Sequence, residues 1–374
     1  MVLRLRIEKV VHGGLFLARD EGKVVLVSGA LPGELVEAEL VEQKKSYSLA
    51  SVTKILEPSS QRVVSPGAQL GRAASSIDFG HAKLDYQRQL KSEVLQEALS
   101  RTSRIEWNGE ILPADETGLG YRTRVQLHAD SKGRLGVRVP RSHDHVRIDS
   151  HPLAVDAINS SSVLKERYAP GSRVLIACDS HAQVLTGSDD SLLTQRAGKR
   201  KFRIAPQVFW QAHFAAPELL LEHVLAELGE VGPEVLDLYS GAGLFAANIA
   251  QHHPETSVLA VEGSADATGA GTASAADLAN LRFVTADVLK YLRARSDQLE
   301  LVVLDPPRSG ASGKVIAELV RLEAKRVVYV ACDPVALARD LGTLVAAGYN
   351  IEKISGFDIF PQTHHFETIA TLSK

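Results

Sequence analysis

The sequence predicts an α/β protein. Its C-terminal half reads as a seven-stranded, Rossmann-like, mostly parallel sheet, preceded by a small OB-like β-barrel and a mostly β central domain. Three observations carry this. After Gly232-Pro233, short apolar runs alternate with helix-prone segments, the pattern of strand–helix–strand units on a parallel sheet. Residues 1–57 show five short alternating runs punctuated by turn signals, as expected for an oligonucleotide-binding type of barrel. Residues 110–203 read mostly as strands, interrupted by one helical segment. The expected division is therefore 1–57, 58–205 and 206–374.

With 374 residues the chain has room for roughly two or three domains. A 45% hydrophobic content is ordinary for a globular chain. No apolar run approaches the roughly 20 residues of a membrane span, and the alternating Met1–Ile7 start reads as a strand rather than a signal peptide. A cytoplasmic monomer with no membrane partner is the expectation. Two distant cysteines, Cys178 and Cys332, exclude a disulfide framework and any zinc or iron–sulfur site built from several cysteines. A net charge of −3 gives no global nucleic-acid signal, so RNA contact would need local basic patches.

In the first module the runs are Leu3 to Val10, Gly14 to Arg19, Lys23 to Val27, Leu35 to Glu42 and Leu49 to Ile55. Lys44 and Lys45, between the last two, either touch phosphate or sit in a solvated turn. Residues 58–80 are rich in Ser, Gly and Ala and read as a linker. From Lys83 to Arg101 leucines and alanines recur at helical spacing. Further strands are expected at Val125 to Ala129, Leu135 to Val139, Arg173 to Ala177 and Gln183 to Gly187, with a helix from Val155 to Glu166. Two clusters, Gly120-Tyr121-Arg122-Thr123-Arg124 and Arg196-Ala197-Gly198-Lys199-Arg200-Lys201, concentrate positive charge. The aromatic inside the first makes RNA contact plausible beside the alternative of a solvated face. A helix from Pro217 to Leu228 leads into strands at Val235 to Leu238, Ser257 to Val261, Leu281 to Thr285, Leu299 to Leu304, Arg326 to Ala331, Tyr349 to Asp358 and Phe366 to Thr371. The last two have no helix between them, which implies an antiparallel edge.

The chemistry gathers where these strands end. Val235-Leu236-Asp237-Leu238-Tyr239-Ser240-Gly241-Ala242-Gly243 is a strand, a glycine turn and a helix start, where a nucleotide-like ligand sits on an open α/β sheet. Asp237 would repel a pyrophosphate but suits a ligand with a cationic or amino-acid moiety, which favours S-adenosylmethionine over a dinucleotide. Glu262, about 20 residues past the turn, suits hydrogen bonding to ribose hydroxyls. Asp287 follows the third strand and could take the adenine amino group. Asp305, in Asp305-Pro306-Pro307-Arg308, ends the fourth strand ahead of two prolines that stiffen the loop. Cys332 ends the fifth strand in the same row. A lone cysteine is more often a small buried hydrophobe, yet at a strand end a thiol can be activated as thiolate. Cys178, among Val174, Leu175 and Ile176, reads as a buried strand residue. Glu367 enters an apolar final strand, an uncommon place for a carboxylate and a fitting one for a base with a raised pKa. His364 and His365 are open to either a positioning or RNA-contacting role or a structural one, and no metal site is indicated.

A thiolate, a base and a sulfonium donor suit one reaction in particular. C5 of a pyrimidine is a poor nucleophile, and thiolate addition at C6 makes it enolate-like. A base must then remove the C5 proton so that cysteine leaves. The target base must also leave its stack.

These motifs, in this order, resemble those of the bacterial RNA 5-methyluridine methyltransferases that modify 23S ribosomal RNA and tRNA, from a TRAM-like N-terminal barrel through a class I methyltransferase domain to the C-terminus. The resemblance implies that Phe209-Trp210-Gln211 lies by cofactor and uridine, with Gln211 touching both. Asp237, Tyr239, Gly241 and Gly243 would belong to the cofactor motif, with Glu262, Asp287 and Asp305 beside it. Asp305 and Arg308 would contact uracil together with Phe209 and His365, Cys332 would be the nucleophile, and Glu367 the base. Ala331 and Asp333 stand where the nucleophile motif is often written with Ser and Asn. Many members carry a four-cysteine iron–sulfur site between barrel and catalytic domain. Ser65 to His81 holds no cysteine, so no cluster is expected. The 5-methylcytosine enzymes match less well, because they place a second cysteine near the Asp-Pro-Pro segment. The implied substrate is RNA, with 23S rRNA ahead of tRNA because the barrel is commoner in members resembling the ribosomal enzymes. The competing class is a non-catalytic RNA-binding or assembly factor that keeps a vestigial cofactor pocket.

Overall fold

The computed structural model describes residues 1–374 except 69, 71–76 and 140–144. The N-terminal strands β1 (Val2–Val11), β2 (Leu15–Asp20), β3 (Lys23–Ser28), β4 (Leu35–Gln43) and β5 (Tyr47–Glu57) close a barrel in the order β1-β2-β3-β5-β4. Alternation drives it: Leu3, Leu5 and Ile7 point inward while Arg4 and Arg6 face water. Closure leaves no long free edge. The stretch expected to be a linker, and to lack a cluster, lies partly outside the described residues.

Helix α1 (Leu84–Ser103) buries Leu90, Val94, Leu95 and Leu99. The short β6 (Ile111–Pro113) follows. The central sheet has the order β11-β10-β7-β8-β9, formed by β7 (Arg124–Ala129), β8 (Leu135–Arg138), β9 (His145–Arg147), β10 (Arg173–Cys178) and β11 (Val184–Thr186). The single helix expected from Val155 to Glu166 is instead a short α2 (Asp156–Ser160) followed by a 3₁₀ turn at Ser162–Lys165. The second basic cluster forms the facing ends of a hairpin, β12 (Leu193–Ala197) and β13 (Arg200–Ile204). In the first cluster Tyr121 is fully buried, stacked on His213, and Arg124 is buried with its guanidinium donating to the Pro206 carbonyl. Neither is free to meet RNA, because Tyr121 is held beneath Pro361 and Arg124 beneath Pro206.

Next come α3 (Ala216–Glu227), β14 (Glu234–Leu238), α4 (Leu244–His252), β15 (Ser257–Glu262), α5 (Ala265–Ser274), β16 (Leu281–Thr285) and α6 (Val288–Arg293). They are followed by β17 (Leu301–Leu304), α7 (Ser312–Arg321), β18 (Arg326–Ala331), α8 (Pro334–Ala346), β19 (Asn350–Asp358) and β20 (Glu367–Ser373). Among the described residues the sheet has eight strands rather than seven, in the order β16-β15-β14-β17-β18-β20-β19-β6. The added strand comes from before the central domain. Gly356 makes room for it, since a Cβ there would stand 2.2 Å from the Ile111 side chain. The antiparallel strand is not at the edge either, because β20 inserts between β18 and β19.

The core of the α/β body reaches back across the boundary expected at residue 205. Helix α1 packs on α8, and one continuous apolar cluster runs from Leu5 and Phe16 of the barrel through Leu95 to Tyr329 and Leu372. The β12–β13 hairpin joins the core on the opposite face through Phe202 and Trp210. Among the described residues no helix is long and apolar enough to cross a membrane.

Candidate active site

Strand register brings the chemistry to one edge. β14, β17 and β18 are parallel and in step, so Leu238, Leu304 and Tyr329 lie side by side. Asp305 is the first residue beyond β17, and its amide donates to the Leu238 carbonyl at 3.3 Å. β20 runs the other way, pairing Thr368 with Ala331. Its first residue, Glu367, therefore meets Cys332, the residue just past the end of β18. A carboxyl from the start of β20 and a thiol from the end of β18 thus share one edge.

They line a cavity of about 800 Å³. Phe209, Gln211, Tyr239, Gly241, Glu262, Asp305, Arg308, Cys332, His365 and Glu367 all border it. Three predicted residues do not. Asp237 is fully buried behind the turn, where Oδ2 accepts the Ala246 amide at 2.9 Å and Oδ1 has no partner among the described residues. It satisfies an N-terminal donor of α4 and so braces the glycine turn from inside. Burial, with Asp305 and Glu262 nearby, raises its pKa well above the carboxylate range. Gly243 is also buried, with φ 86°, and a Cβ there would lie 2.5 Å from the Phe283 ring. Asp287 is exposed and caps α6 by accepting the Lys290 amide. Residues that sequence reading missed at the cavity include Arg122, Ser240, Ser264 and Phe360. A Ser directly ahead of a helical run could have flagged Ser264, which caps α5 by accepting the Ala267 amide.

One end of the cavity suits a nucleoside. Glu262 Oε2 accepts the Gly241 amide at 3.1 Å and Oε1 the Ser264 amide at 2.8 Å, which aims its remaining lone pairs inward. Tyr239 turns the chain with φ 60°, and a Cβ on Gly241 would meet nothing within 4 Å. Ser240 Oγ is buried without a partner among the described residues. An open glycine cradle beside an unpartnered hydroxyl and an anchored carboxylate fits S-adenosylmethionine.

The other end is acidic and largely shielded from solvent. Burial pushes the Cys332 thiol up to about 12, and the carboxylates of Glu367 and Asp305 add to the rise. Burial lifts Asp305 to about 7. Glu367 is buried and raised well above its usual range by burial and by Asp305, with Arg308 opposing. Burial, with His364 and Arg308 adding, drives His365 down to about 3, so it is neutral at physiological pH. Such opposed shifts mark sites of proton transfer.

The loop from Ile359 to Phe366 carries His365 into Glu367 and is clamped by the N-terminal half. Gln87 donates to Gln362 Oε1 at 3.0 Å and accepts the Gln362 amide at 2.7 Å. Lys91 makes a fully buried ion pair with Asp358 and donates to the Phe360 carbonyl at 3.1 Å. The Tyr121 hydroxyl donates to the Pro361 carbonyl at 3.0 Å, and Asp78 accepts the His364 amide at 2.9 Å. This clamp was invisible to periodicity because its partners lie far apart in the chain. Among the described residues no cluster of His, Cys, Asp and Glu could hold a metal ion.

A doubly wound sheet with a glycine turn, a carboxylate at the end of the next strand and this cavity defines a class I methyltransferase, here joined to an N-terminal five-stranded barrel. Comparison with known proteins gives the particular family. The sequence model of the tRNA (uracil-5-)-methyltransferase family matches residues 186–374, and that of the TRAM domain matches residues 1–53. An uncharacterized RNA methyltransferase of Streptomyces avermitilis is 34% identical, over 98% of this chain and 97% of its own. One from Thermotoga maritima is 31% identical, over 100% and 99%. The crystal structure of Pyrococcus abyssi tRNA (uracil-54, C5)-methyltransferase with S-adenosyl-L-homocysteine shares the fold, with TM-score 0.76 and 21% identity over 99% of each chain. The chain belongs to the S-adenosylmethionine-dependent RNA (uracil-5-)-methyltransferase family and is an RNA methyltransferase.

Proposed function

We propose that the enzyme methylates C5 of a uridine through a covalent adduct between Cys332 and C6 of the base. The observation that carries this is the meeting of Cys332, Glu367 and Asp305 at one end of a cavity whose other end is the Gly241–Glu262 cradle. When bound there, S-adenosylmethionine supplies an electrophilic methyl group. Glu262 would hold its ribose, with Gly241, Ser240 and Gln211 along its length. The Cys332 sulfur forms a bond to C6, and the displaced π electrons make C5 nucleophilic. The thiol proton passes to the Asp305 carboxylate, so that Glu367 remains available for the later proton transfer. Asp305 and Arg308 orient the uracil, and exposed Phe209 at the mouth offers it a stacking face. Once C5 is methylated, Glu367 takes the C5 proton, the C5–C6 double bond re-forms, and the Cys332 thiolate leaves. The neutral His365 keeps a second positive charge away from this end.

For the target we propose 23S ribosomal RNA, on the ground of the N-terminal barrel. A second reading, tRNA, has its own support: the Pyrococcus tRNA enzyme shares the fold over 99% of its chain, barrel region included. Incubating the protein with tritiated cofactor and, separately, unmodified 23S rRNA and unmodified tRNA discriminates them. 5-Methyluridine in the ribosomal RNA alone supports the first reading, and in tRNA alone the second. Methylation of neither, by protein that binds cofactor, supports the assembly-factor alternative.

A further inference from the structure

The turn between β1 and β2 leaves the barrel and reaches the catalytic edge of the sheet. It makes two contacts there. His12 Nε2 stands 3.3 Å from Asp333 Oδ2. Asp333 is the residue after Cys332, and its Oδ1 accepts the amides of Val335 at 3.0 Å and Ala336 at 2.8 Å to cap α8. The carboxylate is held on both sides, and with it the backbone that carries the thiol. The second contact is at Gly14, with φ 74°. A Cβ there would lie 2.7 Å from Asp78 Oδ2 and 2.9 Å from His364 Nδ1. Asp78 accepts the His364 amide and pairs with its ring, and the His364 ring lies 3.8 Å from that of His365, tilted by 45°. Glu367 lies two residues further on. The barrel is itself fixed in place, by Phe16 on Phe79, by Lys9 on Glu97 and by His81 on the Ala30 carbonyl. A hairpin tip facing only water would call for glycine at position 14 through its φ of 74° alone, and would have neither the close approach to Asp78 and His364 nor the contact of His12 with Asp333.

We propose that the barrel tip is a positioning element of the reaction: His12 sets Cys332 through Asp333, and Gly14 sets the loop before Glu367 through Asp78 and His364. This rests on the assignment of Cys332 and Glu367. It gives the barrel a part in catalysis beyond holding RNA.

The test uses the full-length protein and an RNA that it methylates. kcat and KM for RNA are measured for wild type, His12→Ala, His12→Gln and Gly14→Ala, with melting curves for each. Displacing a reacting group by about 1 Å can cost about 100-fold, so a partly released Cys332 loop should cost about tenfold in kcat. His12→Ala is expected to show this with KM for RNA nearly unchanged. His12→Gln, whose amide nitrogen reaches the place of Nε2, should recover most of it. Gly14→Ala should lower kcat through the other loop, which keeps the proposal testable even if one variant folds poorly. Unchanged kcat in His12→Ala and Gly14→Ala overturns the proposal, as does a change confined to KM for RNA, the mark of a phosphate-contacting tip. A Cys332→Ala variant that methylates normally would instead overturn the nucleophile assignment beneath it.

Discussion

Asp305→Asn should make the protein more stable and nearly inactive. In the wild type, burial lifts the Asp305 carboxyl to about 7, against about 3.9 for an ordinary aspartate. The folded state therefore holds this proton more tightly than the unfolded chain. Stability falls as pH rises from about 4 to about 7 and stays lower above that. Three pH units correspond to about 4 kcal/mol. Asp305 is only half-buried at the cavity wall, so water screens part of this, and about 1–3 kcal/mol remains. Asparagine has the same shape and no charge, so it removes the penalty. Melting followed by circular dichroism should rise by about 2–6 °C at pH 8 and by less than about 1 °C at pH 4.5. Methyl transfer should fall by about 100-fold, the usual loss when a polar group facing developing charge is removed. Equal melting temperatures at pH 8, or an equal gain at both pH values, would refute the idea that the site holds an ionised carboxylate against its own stability.

Other changes separate the roles of neighbouring residues. Glu367→Gln should still form the cysteine adduct but fail to release it, so turnover drops about 10²- to 10⁴-fold and a protein–RNA band accumulates on denaturing gels; a variant with wild-type turnover rules Glu367 out as the base. Glu262→Gln should raise KM for S-adenosylmethionine about tenfold with kcat little changed, since it weakens a charge-assisted bond to ribose; calorimetric titration checks it. Lys91→Met leaves Asp358 buried and unpaired, and should cost about 3–5 kcal/mol in urea unfolding.

Much of the site could be read from the sequence because strand ends announce themselves. Apolar runs stop at Glu262, Asp305 and Cys332, and all three reach the cavity. Asp237 looked alike but sits one residue inside β14, paired with Val303 and Ala260, so its side chain serves α4 instead. Asp287 stands outside the cavity lining and caps α6, a second use to which a loop aspartate is as readily put. A three-residue strand such as Ile111–Pro113 is too short for periodicity to show, and its place depends on Gly356 far along the chain. The hairpin at Leu193–Ile204 does alternate buried and exposed positions, but its charge hid that pattern. Tyr121, Gln87 and Lys91 hold the loop before Glu367 through bonds to Pro361, Gln362 and Asp358, and no local pattern marks such pairs.

The most direct test of the chemistry is to incubate the protein with S-adenosylmethionine and substrate RNA in which 5-fluorouridine replaces uridine. Fluorine cannot leave C5 as a proton does, so release is blocked after methyl transfer. The expected result is a denaturation-resistant adduct, dependent on cofactor, with the added mass on the peptide containing Cys332 and none in Cys332→Ala. Normal methylation of ordinary RNA without any such adduct, or an adduct on Cys178 instead, would contradict the assignment of Cys332 as the nucleophile.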